Sequence, residues 1–144
     1  MKLPDANLLL YAVDERSPRH EVARTWLESV LSGGETVAFS WTGLLAFVRI
    51  STRSAVFERP LTPSEALDLV DGWLAQPVVT VVHPTDRHAA VLRELLGPLG
   101  VAGNLVSDAH LAALCIEHGA ELCSSDADFS RFSGLRWSDP LRGW

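Results

Sequence analysis

Aspartates at the predicted ends of structural elements are the residues of this sequence best suited to do chemistry. Asp5 closes a predicted first strand, Asp126 and Asp128 directly follow a later strand, and Asp108 lies in the first turn of a predicted helix. Carboxylates that share a pocket repel one another, and a bound hard cation such as Mg²⁺, which prefers oxygen ligands, relieves that repulsion. Such a cation can activate water and stabilise charge on a phosphodiester. The same residues are also common as turn residues or, for Asp108, as a helix-start residue favoured by the helix dipole.

The elements that must position these aspartates alternate between strands and helices. Apolar and β-branched runs predict strands at 2–5, 36–39, 78–82 and 121–124, with a short last strand at 135–137. Apolar residues at helical spacing predict helices at 17–33, 41–51, 62–74, 86–96 and 104–118. The segment 41–51 is apolar on most faces, which predicts a buried helix.

Capping residues indicate where four of these helices begin. Ser17 stands before a proline, and Asp86 and Asn104 precede the next helical patterns. Thr62 is followed by Glu65 at the third helical position, the spacing of a capping box.

Alternating strands and helices predict an α/β fold, a three-layer sandwich with a central, mainly parallel sheet flanked by helices. In such folds, binding and catalytic sites form at the carboxyl ends of the strands. A parallel sheet can therefore bring Asp5 and Asp126 together, and a helix whose first turn faces the same edge adds Asp108.

Composition and charge limit the class of protein. The chain has 144 residues, 47% hydrophobic and 21% charged, which is typical of one folded domain, and we assign 1–144 to a single domain. The net charge of −6 is unlike that of DNA-coating proteins, which carry a basic surplus. An acidic surface is compatible with a metal site and favours a basic protein partner.

The sequence also carries expectations about location. No apolar run approaches the roughly 20 residues that cross a bilayer, and the first residues do not resemble a signal peptide. Two cysteines, Cys115 and Cys123, lie among apolar neighbours and are too few for a disulfide framework. We therefore expect a cytoplasmic protein with no membrane contact.

Three segments resemble the PIN-domain family. Residues 4–10 resemble its opening Asp followed by a small polar residue and an apolar run. Residues 106–114, continued by 117–122, resemble its internal acidic helix, and residues 124–129 resemble its closing motif of small residues, Asp, a variable residue, Asp and Phe. The tail at 132–141 continues in the style of VapC toxins, so the resemblance covers nearly the whole chain.

This resemblance implies a PIN-like fold and a Mg²⁺-dependent endoribonuclease, with Mn²⁺ as a possible substitute. Its substrate would be structured RNA, with tRNA and ribosomal RNA as candidate classes, and a VapB-type antitoxin would neutralise it. In the family pattern Asp5, Asp108 and Asp126 hold the metal, and Asp128 is a further ligand or orients water. Asn7 is expected to brace the site by hydrogen bonding.

One family feature is absent. The family places a Glu in the helix after the second strand, whereas the corresponding stretch, 41–50, contains no carboxylate. An alternative therefore stands beside the nuclease: a catalytically degenerate PIN scaffold that binds RNA or antitoxin without cleavage. A phosphohydrolase of the haloacid dehalogenase type fits less well, since it needs a second Asp where Asn7 stands.

Further residues suggest partners. Arg49 and Arg53 lie four apart on a predicted helix and are candidates for contacts with RNA phosphates, although surface arginines often serve only solubility. A homodimer is expected from the family resemblance, and the apolar stripe formed by Leu67, Val70 and Leu74 could serve either a dimer or the core. His110, two residues from Asp108, points to a different face of the same helix.

Overall fold

The sheet consists of five short strands that are all parallel. The computed structural model describes residues 1–55, 57–100 and 102–142. The strands are β1 (Lys2–Pro4), β2 (Val37–Phe39), β3 (Val79–Val81), β4 (Glu121–Cys123) and β5 (Trp137–Ser138). They are arranged in the order β3-β2-β1-β4-β5. The predicted α/β class is confirmed, because parallel strands need helical crossovers between them.

Strand register brings two segments of the site together. Leu3 pairs with Leu122 and Pro4 with Cys123, so Asp5 and Ser124 each follow directly on adjacent strands. The Asp5 backbone N–H donates to the Cys123 carbonyl over 2.8 Å, which extends the pairing by one residue. The carboxyl ends of β1 and β4 therefore meet at one edge of the sheet.

Helices cover both faces of this sheet. They are α1 (Ala6–Val13), α2 (His20–Leu31), α3 (Trp41–Ser51), α4 (Pro63–Leu74), α5 (His88–Leu96) and α6 (Leu105–His118). Short 3-10 helices occupy Gly97–Leu99 and Ala127–Arg131. Val37 and Phe39 pack into a core formed with α1 to α4, whereas Ala38 faces a second core formed with α5 and α6. This alternation along β2 produces the predicted three layers.

Several predicted helix starts were wrong. Helix α1 was not predicted, because its residues are apolar on most sides, and Asp5 is its N-cap. Helix α2 begins at His20 rather than after Ser17, whose Oγ instead accepts from the Arg19 backbone N–H within a turn. At α5, Arg87 and not Asp86 holds the N-cap position.

Other local predictions are confirmed. Thr62 and Glu65 form the expected capping box at the start of α4. Helix α3 spans 41–51 as predicted, but it is not buried all round, since Trp41 is 43% and Leu45 59% exposed. Asn104 stands at the N-cap position of α6, as expected, but its side chain makes no capping hydrogen bond.

Two further observations bear on the expectations about location. Across the described residues, no helix is both long and apolar enough to cross a bilayer. Cys115 and Cys123 are buried free thiols, as predicted. Burial raises their pKa values, to about 12 for Cys115 and about 11 for Cys123, so both stay protonated near neutrality.

Candidate metal and nuclease site

Asp5 is fixed at the junction of β1 and α1. One carboxylate oxygen, Oδ1, accepts from the Ala6 backbone N–H over 2.8 Å, as an N-cap side chain does. The other, Oδ2, accepts from the Ser124 hydroxyl over 2.7 Å. The sequence pattern predicted the position of Asp5 at the strand end, but not its role as a helix cap.

Ser124 is the centre of the hydrogen bonds that hold the site together. Its side chain is fully buried, and its Oγ accepts from the Asp126 backbone N–H over 3.1 Å while donating to Asp5. The Asn7 side-chain amide lies 3.2 Å from the same Oγ, as donor. Sequence reasoning missed Ser124. The available signal was a small polar residue at the first position after a buried strand, level with Asp5 across the sheet.

Three carboxylates converge beside this centre. One oxygen from each of Asp108, Asp126 and Asp128 lies within 4.8 Å of the other two. Asp126 caps the 3-10 helix at Ala127–Arg131 and accepts from the Asp128 backbone N–H over 2.9 Å, which holds the two aspartates in one turn. Asp128, although exposed, therefore belongs to the group of converging carboxylates, and Asp5 is not one of its three members.

The electrostatics of this group favour a cation. Burial and then the charges of Asp126, Asp5 and Asp128 raise the pKa of Asp108 to about 6. Burial also raises the pKa of Asp5, against hydrogen bonds from Ser124 and Ala6 that lower it, and Asp126 raises it further. The raised pKa values mean that Asp5 and Asp108 ionise less readily than free aspartates, which a nearby positive charge would reverse.

The donor set fits a hard divalent ion. All its members are carboxylate oxygens, which Mg²⁺ and Mn²⁺ prefer. The Asn7 Oδ1 atom is buried and lacks a hydrogen-bond partner within the described part of the chain. A buried oxygen without a donor is destabilising unless water or a cation satisfies it, so this atom is compatible with a hydrated cation at the site.

Helix α3 carries no carboxylate, as the sequence indicated. In its first turn, Thr42 Oγ1 lies 3.2 Å from His110 Nε2 on α6. Arg49 is exposed in the last turn of α3. Arg53 is also exposed, but α3 ends at Ser51, so Arg53 does not share a helix with Arg49, contrary to the prediction. Thr42 and Arg49 are seven positions apart, which is about 10 Å along the helix axis.

Comparison with known proteins agrees with this fold. The family model of the PIN domain matches residues 2–135. A relative named ribonuclease VapC37, from Mycobacterium tuberculosis, is 49% identical over 140 residues, covering 97% of each chain.

Solved structures share the architecture at low sequence identity. The VapBC2 structure from Rickettsia felis, bound to a DNA fragment from its promoter, matches with a TM-score of 0.70 and 19% identity, over 96% of this chain and 97% of that one. Mycobacterium tuberculosis VapC20, described as a sarcin–ricin loop cleaving toxin, matches with a TM-score of 0.64 and 20% identity, over 94% and 99% of the two chains. With the family model matching most of the sequence and a VapC relative 49% identical along almost its whole length, this chain belongs to the PIN-domain family, in its VapC branch.

Proposed function

We propose that this chain is a metal-dependent endoribonuclease toxin of the VapC type. The observation that carries the proposal is the convergence of Asp108, Asp126 and Asp128 within 4.8 Å, at the sheet edge where Asp5 ends β1. The ribonuclease name of the 49% identical relative supports the reaction class. We treat the chain as one PIN domain acting in the cytoplasm, which stays a prediction.

In this proposal Asp5, Asp108 and Asp126 hold Mg²⁺, or Mn²⁺ in its place. When bound, the cation supplies a Lewis acid for the phosphodiester and lowers the pKa of attacking water. Asp128, which is exposed and lies 3.6 Å from Arg131, orients water or completes the metal site. Asn7 and Ser124 hold the carboxylates in place by hydrogen bonds.

The substrate we propose is structured RNA, with tRNA and ribosomal RNA as the two classes to test. The description of VapC20 as a sarcin–ricin loop cleaving toxin supports ribosomal RNA as one of them. Arg49 and Arg53 stay predictions as phosphate contacts. Both side chains are exposed, Arg49 in the last turn of α3 and Arg53 just after it, as a phosphate contact requires.

The partner we propose is a VapB-type antitoxin, as in the VapBC2 assembly that shares this fold. The net charge of −6 and the cluster of carboxylates favour a basic segment, whose arginine would replace the cation's positive charge. Co-purification with the product of a neighbouring open reading frame tests this partner. Failure of the two purified proteins to associate would rule out this partner.

Growth arrest tests the toxin assignment in cells. Induced expression of the wild type should stop growth, and Asp5→Asn should not, although it accumulates as folded protein. Asp71→Asn is the matched control, since Asp71 is an exposed aspartate on α4 outside the site. Full toxicity of Asp5→Asn would contradict the assignment.

The absence of an acid from α3 favours one alternative, a PIN scaffold that binds RNA or antitoxin without cleavage. RNA cleavage distinguishes the two functions. Folded protein that retains RNA on a filter, but leaves it intact with either metal, would support the scaffold.

A further inference from the structure

A chain of hydrogen bonds links three helices on the other side of α6. His110 Nε2 lies 3.2 Å from Thr42 Oγ1 on α3, and His110 Nδ1 lies 2.9 Å from His88 Nε2 on α5. His88 Nδ1 in turn lies 2.5 Å from Oε2 of Glu117, which is on α6 two turns after His110. We call this set the histidine chain: Thr42, His110, His88 and Glu117.

Glu117 anchors the histidine chain at one end. Its side chain is closed off from solvent, and its Oε1 accepts from the Thr85 backbone N–H over 2.9 Å and from the Thr85 hydroxyl over 2.6 Å. Burial alone would raise the pKa of Glu117, but the hydrogen bonds from Thr85 and His88 outweigh it and hold the pKa below its ordinary value. Glu117 is therefore an ionised acceptor with both oxygens occupied.

The polarity of the chain follows from that acceptor. His88 must donate from Nδ1 to the carboxylate, so a neutral His88 ring accepts at Nε2. A neutral His110 then donates from Nδ1 to His88 and accepts at Nε2 from the Thr42 hydroxyl. Every ring nitrogen is used, and a fully satisfied network of this kind is a rigid connection.

His110 lies on the same turn of α6 as Asp108, so the histidine chain acts on the part of the helix that carries this carboxylate. His110 follows Asp108 by two residues, so their side chains leave α6 on nearly opposite sides. Asp108 faces like charges on Asp126 and Asp128, which tend to push this turn of α6 away from the site. The N-cap side chain does not oppose this, because Asn104 makes no capping hydrogen bond.

We infer that the histidine chain is the positioning device for Asp108. It holds the first turns of α6 against α3 and α5, so that Asp108 stays close to Asp126 and Asp128 before a cation binds. None of its members needs to touch the substrate. The inference rests on the proposed function, because the cation is the one assigned there.

Mn²⁺ binding measured by calorimetry without RNA tests the inference. Removing a group that hydrogen-bonds a metal ligand costs about tenfold or more in metal affinity. His110 acts on Asp108 only through α6, so His110→Ala should weaken Mn²⁺ binding by about tenfold, the low end of that range. His118→Ala is the matched control. His118 is also on α6 and bonds the His83 carbonyl over 2.7 Å, but at the end of the helix away from Asp108. It should bind Mn²⁺ as the wild type does.

The outcomes separate this inference from the proposed function. Wild-type Mn²⁺ affinity in His110→Ala, or an equal loss of affinity in His118→Ala, would overturn the inference without contradicting the proposed nuclease function. A wild-type protein that binds no Mn²⁺ overturns both. If far-UV circular dichroism shows His110→Ala to be unfolded, Thr42→Val decides, because it removes only the hydrogen bond between Thr42 and His110, at an exposed residue. We expect Thr42→Val to lose Mn²⁺ affinity by less than about tenfold. Unchanged Mn²⁺ affinity in Thr42→Val would reject the inference.

Discussion

The Ser124 hydroxyl donates a 2.7 Å hydrogen bond to Asp5, a residue 119 positions away in the sequence. This bond joins the carboxyl ends of β1 and β4, and the same oxygen receives the Asp126 backbone N–H. Both aspartates are thus placed by one buried serine. The precision of the site depends on a residue that has no part in the chemistry.

Ser124→Ala should therefore weaken the site and the fold together. It leaves the Asp126 N–H and the Asn7 amide without their acceptor, and an unsatisfied buried group costs about 1–3 kcal/mol. Urea unfolding should show a decrease in the free energy of unfolding within that range, and Mn²⁺ affinity should fall. Ser125→Ala, on the neighbouring and less buried residue, is the control and should change neither. Equal changes in unfolding free energy and Mn²⁺ affinity in the two variants would show that Ser124 does not position the aspartates.

The raised pKa of Asp108 makes the stability of the metal-free protein depend on pH. Because its folded pKa of about 6 exceeds the ordinary 3.8, the folded state binds more protons between those values. The contribution of Asp108 therefore lowers stability as the pH rises from about 4 to about 6, against carboxylates with lowered pKa values such as Glu117. Urea midpoints in EDTA should show that stability relative to Asp108→Asn falls for the wild type over this pH range. Asp71→Asn should follow the pH dependence of the wild type, and the same pH dependence in all three proteins would refute the prediction.

Much of this site could be predicted because its acidic residues lie at element boundaries. Asp5 and Asp126 follow recognisable strands, and Asp108 follows a recognisable helix start. The sequence could not reveal Ser124, since a small polar residue after a strand usually only forms a turn. It could not reveal the histidine chain either, because His110 meets Thr42 across 68 residues and His88 across 22. Helix α1 was missed because an apolar run of eight residues lacks a clear helical face.

Exposed apolar residues around the contact between α3 and α6 support a homodimer. Trp41, Leu45 and Val106 are 43%, 59% and 47% exposed, and they flank Thr42 and His110 on the two helices. Of the apolar stripe on α4 suggested by the sequence, Val70 is in the core and only Leu67 is strongly exposed. The dimer is therefore better predicted at α3 and α6.

Leu45→Asp should convert the dimer to a monomer in light-scattering measurements, without a decrease in helical signal. Leu67→Asp is the matched control, since Leu67 is 45% exposed on α4, and it should remain dimeric. Dissociation by Leu67→Asp alone would move the interface to α4. A wild-type protein that is monomeric at high concentration would contradict the predicted homodimer.

Arg49 and Arg53 should affect RNA affinity rather than chemistry. Removing an arginine that binds a phosphate is expected to lower the salt dependence of RNA binding by about one charge, with little effect on sequence preference. Arg49→Ala and Arg53→Ala should therefore raise KM and leave kcat unchanged. Arg24→Ala is the control, because Arg24 is engaged with Glu21 and Glu28 on α2. A wild-type salt dependence in both variants would mean that these arginines do not bind RNA.

Cleavage of total cellular RNA by purified protein tests the central claim most directly. The reactions contain Mg²⁺, Mn²⁺ or EDTA, with Asp108→Asn and Asp71→Asn run beside the wild type. We predict discrete cuts with either metal by the wild type and Asp71→Asn, and none in EDTA or by Asp108→Asn. Cleavage that survives in EDTA or in Asp108→Asn, or folded wild-type protein that binds RNA but leaves it intact with both metals, would contradict a carboxylate-held metal as the source of activity.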